Sequence, residues 1–253
     1  MFSPSAAAVP ATTPPSTALK AVLWDMDGTL VDTEPYWIAA EMTLVAAHGG
    51  HWDLAQAHQL VGKALTDSAK VLQGAGVALG VREIIDYLSN SVIAKVHQKV
   101  PWRPGARELL AALHAQGVRC ALVTMSERNL ASEVVAALDA QYFEFLVTGD
   151  EVQHGKPHPE PYLGAIARLQ QSDPALTAAH CAALEDSVPG VASAVASGVA
   201  TIAIPHAVPL PADPRYTIWD SLAGKTSGDV AAVVAARAAG TMLPRTVDLG
   251  AGL

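Results

Sequence analysis

Short apolar runs alternate with amphipathic helical patterns along most of the chain. A short apolar run predicts a buried strand, whereas apolar positions spaced by three and four predict a helix. The predicted strands are residues 20–25, 118–124, 143–148, 180–185 and 199–204. The helices predicted between or beside them are residues 107–116, 129–138, 162–170 and 188–197. This alternation favours right-handed crossovers, so it predicts an α/β fold with a Rossmann-like parallel sheet.

Residues 35–100 follow a different pattern, in which apolar positions keep helical spacing and no strand is predicted. From Val81 to Val96, apolar residues recur every three or four positions with charged residues between them. Glycines mark the breaks between successive helices. The segment is therefore predicted to be an α-helical cap domain, inserted into an α/β core formed by residues 19–34 and 101–223.

The two ends of the chain differ from the rest. Residues 1–18 are rich in Ser, Ala, Pro and Thr, lack a basic start, and are predicted to be a disordered tail rather than a signal peptide. Residues 224–253 are predicted to hold an Ala-rich helix and a tail. No apolar run is long enough for a transmembrane helix, so we expect a cytoplasmic protein without a membrane partner.

Composition narrows the class of protein further. The chain has 253 residues, 51% of them hydrophobic, so it can bury a large core. Its net charge of −8 and the absence of a Lys/Arg run argue against a nucleic-acid partner. Cys120 and Cys181 lie in or beside apolar runs and are predicted to be reduced core residues. We expect a monomer.

Two aspartates directly follow the first predicted strand. After the apolar residues 22–24, Asp25 and Asp27 stand at the strand's carboxyl edge, where open α/β sheets usually form their sites. Two carboxylates this close repel each other unless a cation or a shared proton compensates. Mg²⁺ takes carboxylate oxygens and leaves room for waters and a substrate phosphate. The arrangement indicates phosphate chemistry.

Further chemically active residues follow other predicted strands. They are Thr124, Ser126, Lys156, Glu185 and Asp186. Because parallel strands end at one edge of a sheet, we expect these side chains to meet Asp25 and Asp27. Carboxylates would hold a metal, while the hydroxyl and the lysine would hold a transferring phosphoryl group.

Taken in order, these motifs resemble those of the haloacid dehalogenase (HAD) superfamily. The motifs are Asp25-Met-Asp-Gly-Thr29, Thr124, Lys156 and Glu185-Asp186. The resemblance covers roughly residues 20–222 and is greatest to the helical-cap branch that includes β-phosphoglucomutase-like phosphatases. It implies a Mg²⁺-dependent phosphatase that hydrolyses a small phosphorylated metabolite, similar to a sugar phosphate.

The resemblance also implies roles for the acidic residues. Asp25 would be the nucleophile that becomes an aspartyl-phosphate, and Asp27 would be the general acid and then the general base. Mg²⁺ would be bound by Asp25, the backbone carbonyl of Asp27 and Asp186, with Glu185 in or near its shell. Residues expected to bind the substrate are Met26, Thr124, Ser126 and Lys156 in the core, and Glu34 and Lys63 in the cap.

Two alternative functions stay open at this stage. A phosphomutase of the β-phosphoglucomutase type would need a cation in the cap, but the position three residues after Gly62, which is arginine in those enzymes, is Leu65 here. Lys63 or Lys70 could substitute for that arginine. A non-catalytic binding protein on the same fold is the second alternative, although such proteins usually lack the nucleophile and Asp25 is present.

Other candidates are less specific. Thr33 or Glu34 could orient Asp27 or touch the substrate, and a hinge or helix-start role is equally consistent with the sequence. His154 and His158 flank Lys156, but further Cys or His partners for a metal are missing, so exposed loop histidines are expected.

Overall fold

The computed structural model describes residues 18–241, and the predictions made for residues 1–17 and 242–253 lie outside these. The strands are β1 (Ala21–Trp24), β2 (Arg119–Val123), β3 (Phe143–Val147), β4 (Cys181–Glu185), β5 (Ala200–Ala203) and β6 (Thr217–Ile218). The helices are α1 (Glu34–Ala47), α2 (Leu54–Ala57), α3 (Leu65–Gly74), α4 (Val81–Gln98), α5 (Ala106–Ala115), α6 (Arg128–Ala136), α7 (Glu160–Gln170), α8 (Val188–Ser197) and α9 (Ser227–Ala238).

The six strands form one parallel sheet in the order β3-β2-β1-β4-β5-β6. The central strand β1 pairs with β2 on one side and with β4 on the other, so the chain changes direction across the sheet at this point. Trp24 lies opposite Leu122 and Leu184, and the three strands therefore end at nearly the same level. This is the edge where open α/β sheets bind ligands. The predicted fold class is confirmed.

Helices cover both faces of the sheet, which explains why its strands are apolar at successive positions. Along β1, Val22 and Trp24 face one hydrophobic cluster, whereas Ala21 and Leu23 face the other. This alternation follows from the two-residue period of a strand. Both cysteines are free and buried among these apolar side chains, as predicted.

The cap consists of α1 to α4, with α1 and α3 packed on α4, and no strand occurs among residues 35–100. Its two connections to the core lie side by side. Val31 and Trp102 form an antiparallel bridge, and the Asp32 amide donates to the Pro101 carbonyl at 2.7 Å. The cap therefore enters and leaves the core through one paired crossing, which suits a hinge.

The structure also differs from the sequence prediction at several elements. Helix α7 begins at Glu160 rather than Tyr162, because Pro161 is tolerated in a first helical turn that needs no amide donor there. Strand β6 has two residues and was not predicted. An Ala-rich helix was predicted within residues 224–253, outside the α/β core. Helix α9 lies there, but it packs on β4 and β5 with Val230, Val233 and Val234 buried in the core.

The boundaries between the predicted cap and core domains stay predictions.

Among the described helices, none is both long and apolar enough to cross a membrane.

Candidate active site

The ends of β1, β2 and β4 bring the predicted site residues to one edge of the sheet, facing the cap. A cavity of about 70 Å³ lies between this edge and the cap. The predicted site residues that line it are Asp25, Asp27, Glu34, Lys63, Thr124, Ser126 and Lys156. Chain segments that are far apart in sequence therefore converge on a single enclosed site.

Lys156 is the buried cation of this site. Its Nζ lies 2.6 Å from Oδ1 of Asp25 and 2.6 Å from Oε1 of Glu185, and it donates to the Val123 carbonyl at 2.9 Å. Burial lowers the pKa of Lys156, but attraction to Asp25 and Glu185 outweighs this effect and holds the pKa above its ordinary value. Lys156 is therefore charged and fixes one oxygen of Asp25.

Three buried carboxyl groups surround this cation. Oxygens of Asp25, Glu185 and Asp186 lie within 4.8 Å of one another. Burial, together with repulsion by Glu185, raises the pKa of Asp25 to about 8 although Lys156 opposes the shift. Burial followed by repulsion from Asp25 and Glu185 raises the pKa of Asp186 well above its ordinary value. The single charge of Lys156 does not balance the three acids.

Two oxygens of this acidic cluster are buried without a hydrogen-bond partner among the described residues. They are Oδ2 of Asp25 and Oε2 of Glu185. A buried carboxylate oxygen without a partner is destabilising, and a divalent cation with oxygen ligands would compensate both atoms at once. The residues present therefore fit a hard cation such as Mg²⁺.

Two glycines leave space for these carboxylates. A Cβ atom on Gly28 would lie 2.0 Å from Oδ2 of Asp186, and a Cβ atom on Gly190 would lie 1.9 Å from Oε2 of Glu185. Gly28 also has φ +89°, a left-handed conformation that other residues rarely adopt. The glycine of the first motif is thus required both by its backbone and by the position of Asp186.

Tyr162 is a site residue that was not predicted from the sequence. Its hydroxyl donates to Oε1 of Glu185, the oxygen that also faces Lys156, and its ring is fully buried. These two contacts turn the other oxygen of Glu185 toward the acidic cluster. In the sequence Tyr162 looks like one more apolar position of α7, so no local signal distinguishes it from a core residue.

The carboxylate of Asp27 points away from the acidic cluster and accepts hydrogen bonds from both domains. Oδ1 accepts from the Thr33 hydroxyl and from Nε1 of Trp37 at 3.1 Å. Oδ2 accepts from the hydroxyls of Ser126 at 2.7 Å and Thr124 at 3.3 Å. The structure therefore places Thr33 as a partner of Asp27, one of the roles left open by the sequence. The contact from Trp37 was not foreseen.

The remaining predicted residues occupy varied positions. The side chain of Met26 is fully buried in the core, so only its backbone is available to a ligand. Lys63 is exposed at the cavity rim, and Leu65 lines the cavity. Lys70 pairs with Asp67 on the surface and does not line the cavity.

The two loop histidines are exposed, as expected, and together with Glu160 they place three ligand atoms within 4.8 Å of one another. His154 and His158 are exposed, and both lie near Glu160 at the start of α7. The Glu160 carboxylate already accepts hydrogen bonds from the backbone amides of residues 153 and 154. It therefore helps to fix the loop that carries Lys156.

A capped parallel sheet with a lysine and three acids at its carboxyl edge defines a class of hydrolases. A model of the haloacid dehalogenase-like hydrolases matches residues 19–198. The chain belongs to this family.

Named relatives agree with this assignment. Hexitol phosphatase B of Escherichia coli K12 is 31% identical over 79% of this chain and 89% of its own length. A phosphorylated carbohydrates phosphatase of Thermotoga maritima is 30% identical over 73% of this chain and 84% of its own length. Among solved structures, CbbY of Rhodobacter sphaeroides in complex with phosphate has a TM-score of 0.74 at 24% identity, covering 84% of this chain and 99% of that one. The structural likeness supports the fold.

Proposed function

We propose that the protein is a Mg²⁺-dependent phosphatase that hydrolyses a small phosphorylated metabolite through an aspartyl-phosphate on Asp25. The observation that carries this proposal is the environment of Asp25. One oxygen of its carboxylate is fixed by Lys156, while the other is buried, unpartnered and next to two further acids. The names of the relatives support phosphorylated carbohydrates as the substrate class.

The first step is a displacement at phosphorus by Asp25. A carboxylate oxygen forms a bond to phosphorus while the bond from phosphorus to the alcohol oxygen of the substrate breaks. Asp27 donates a proton to that alcohol oxygen. The buried ammonium of Lys156 offsets negative charge on Asp25 and on the phosphoryl group.

The second step regenerates Asp25. A water molecule attacks phosphorus, Asp27 accepts its proton, and the bond between Asp25 and phosphorus breaks to release inorganic phosphate. The hydroxyls of Thr124 and Ser126 line the cavity and donate to Oδ2 of Asp27, and either would donate to a phosphoryl oxygen by rotating away from Asp27. Asp27 thus serves both steps from one position.

Mg²⁺ would be held by the carboxylates of Asp25 and Asp186, with Glu185 and the backbone carbonyl of Asp27 as further oxygen donors. When bound, it neutralises the acids and the phosphoryl charge. Tyr162 and Lys156 keep Glu185 oriented for this purpose.

The cap must move to admit the substrate. The cavity of about 70 Å³ is well below the roughly 300 Å³ at the lower end of small-molecule pockets. A groove of about 620 Å³ runs along the cap–core boundary and shares Val61, Lys63 and Lys156 with the cavity. Opening at the paired crossing of residues 31 and 102 would join the two spaces, and closure would exclude water from the phosphoryl group.

The mutase alternative has less support. A mutase must hold a second phosphate in its cap, yet Leu65 contributes an apolar side chain to the cavity where such an enzyme would need a cation. Lys63 is the one basic cap residue among the described residues that line the cavity, and it is exposed. The non-catalytic alternative is disfavoured because the nucleophile and its buried lysine are in contact.

The proposal is tested by phosphate release from a panel of phosphorylated sugars, sugar alcohols and acids, with Mg²⁺ or with a chelator. Wild-type protein should release phosphate only with the metal, and Asp25→Asn should release none. Asp86→Asn, an exposed change in α4, is the matched control and should keep full activity. Conversion of a sugar phosphate to its isomer without phosphate release would favour the mutase. Full activity of Asp25→Asn would overturn the mechanism.

A further inference from the structure

Two carboxyl groups on one face of α1, those of Glu34 and Glu41, line the cavity. Glu34, Trp37 and Glu41 follow one another at spacings of three and four, so they share a face of the helix, and all three line the cavity. Trp37 reaches Asp27 in the core, as described above. Glu34 was expected from the resemblance to bind the substrate, whereas Glu41 was assigned no part, although both line the same cavity.

Glu41 is a buried acid with a fixed orientation. It is 5% exposed, and its Oε2 accepts a hydrogen bond from Nε1 of Trp52 at 2.9 Å. Trp52 is the one hydrogen-bond partner of this carboxyl group among the described residues, and no cation pairs with it there. Burial, which the Trp52 contact opposes, raises the pKa of Glu41 to about 7. A buried acid with one neutral partner destabilises a fold, so its retention needs another reason.

Ser68 provides an independent indication of a ligand. Its side chain comes from α3, is 4% exposed and lines the same cavity as Glu41. The side chain borders the cavity, and no hydrogen bond from its hydroxyl is found among the described residues. This hydroxyl is therefore available to a molecule in the cavity.

Glu34 completes the polar lining of the cap. It is half-buried and forms no hydrogen bond or ion pair with any described residue. Burial, and then repulsion by Glu41, Asp27 and Asp32, raises its pKa to about 8. The cap side of the cavity therefore offers two carboxyl groups and one hydroxyl, beside apolar walls from Leu65 and Leu88.

We propose that Glu41, Ser68 and Glu34 form a hydroxyl-binding subsite for the alcohol part of the substrate, which makes the enzyme selective for phosphomonoesters of neutral, polyhydroxylated compounds. This inference rests on the proposed phosphatase function. Carboxyl groups accept hydrogen bonds from hydroxyls and, when protonated, also donate one. A second phosphate or a carboxylate on the substrate would lie beside these carboxyl groups without a buried cation to compensate its charge, and an uncompensated charge in a buried site is strongly destabilising.

The experiment compares three substrates with different alcohol parts: a sugar-alcohol monophosphate, phosphoglycolate, and p-nitrophenyl phosphate, which has no hydroxyl to bind. For wild-type protein, kcat/KM should be higher on the sugar-alcohol phosphate than on phosphoglycolate. Glu41→Gln and Ser68→Ala should each lower kcat/KM for the sugar-alcohol phosphate by about tenfold, mainly through KM, with less than about a twofold change on p-nitrophenyl phosphate. Glu108→Gln, an exposed change in α5, is the control.

Two results would overturn the subsite. One is a preference of wild-type protein for phosphoglycolate while phosphatase activity is retained. The other is an equal loss on the sugar-alcohol phosphate and on p-nitrophenyl phosphate in both variants, which would mean that Glu41 and Ser68 support the fold only. A wild-type protein that hydrolyses none of the substrates with Mg²⁺ would overturn the phosphatase function itself, together with the subsite.

Discussion

Nζ of Lys156 lies 2.6 Å from Oδ1 of Asp25, although 131 residues separate the two in sequence. Both side chains are almost completely buried. The contact joins the end of β1 to the loop before α7, and it depends on the parallel register that aligns the strand ends. Because of this contact, the proposed nucleophile and the buried cation lie side by side in the site.

Replacing Lys156 by methionine should destabilise the protein as well as inactivate it. The change keeps an unbranched side chain but leaves Asp25 and Glu185 buried beside Asp186 without their cation. We expect the free energy of unfolding to fall by roughly 3–5 kcal/mol, measured by urea denaturation in chelator at pH 8. Lys70→Met, which removes an exposed ion pair with Asp67, should change stability by less than about 1 kcal/mol. Equal losses in the two variants would contradict the buried-cation account.

Magnesium should stabilise the protein through the acidic cluster. Because a cation that binds only the folded state raises its stability, the melting temperature should increase with Mg²⁺ concentration. Asp186→Asn should remove most of this increase and raise the metal concentration needed for activity. Asp86→Asn should behave as wild type. An unchanged Mg²⁺ response in the Asp186 variant would show that the metal binds elsewhere.

Trp37 should act on catalysis through Asp27. Trp37→Phe keeps a ring in the cavity wall but removes the donor to Oδ1 of Asp27. As a positioning residue, it should mainly affect kcat, by about tenfold, with a smaller change in KM for a substrate whose leaving alcohol needs protonation. The loss should be much smaller on p-nitrophenyl phosphate, whose leaving group needs little protonation.

The control for this variant is Trp219→Phe, which makes the same change at a buried site that does not line the cavity. It should leave kcat unchanged. If Trp37→Phe lowers kcat equally on both substrates, its role is structural and the hydrogen bond to Asp27 does not matter for proton transfer.

Much of this arrangement follows from the sequence, because each chemical motif except Lys156, which lies in the loop before α7, directly follows an apolar run. The ends of β1, β2 and β4 could be placed at one edge from the strand–helix alternation alone. The partners of these residues could not. Tyr162, Trp37 and Glu41 lie on helices, and the sequence does not reveal which helical face turns toward the site.

Short and irregular elements also escaped the sequence pattern. Strand β6 has only two residues, too few to show a two-residue period. Its pairing with β5 is determined by the surrounding sheet rather than by local propensity. Ser68 is a similar case, since a single serine in a helix has no sequence feature that shows it to be buried beside the cavity.

The raised pKa of Glu41 predicts a specific pH dependence of stability. Burial raises this pKa from 4.5 to about 7, so between these values the folded state holds a proton that the unfolded state has lost. Stability from this group is therefore fully present below pH 4.5 and is lost as the pH rises through 7. Glu41→Gln should remove that loss, so its stability relative to wild type should increase by on the order of 3 kcal/mol from pH 4.5 to 8.

The comparison with Glu41→Gln measures this group together with its effect on Glu34, because the change also removes the repulsion by Glu41 that raises the pKa of Glu34, and both effects act in the same direction. Asp27 and Glu34 also face the cavity, and Trp52 contacts Glu41 directly, but these residues are present in both proteins. Urea denaturation at several pH values measures the difference. A difference that does not vary with pH would show that Glu41 titrates alike in the folded and unfolded states.

The central claim is that Asp25 becomes covalently phosphorylated, and one measurement tests it directly. Asp27→Asn should still transfer a phosphoryl group from p-nitrophenyl phosphate, whose leaving group needs little protonation, but it lacks the base for the second step. Rapid mixing with Mg²⁺ should give a burst of one p-nitrophenolate per protein molecule, and acid quenching followed by peptide mass spectrometry should place the phosphoryl group on Asp25. A wild-type rate of turnover in Asp25→Asn, or a phosphoryl group on another residue, would contradict the account.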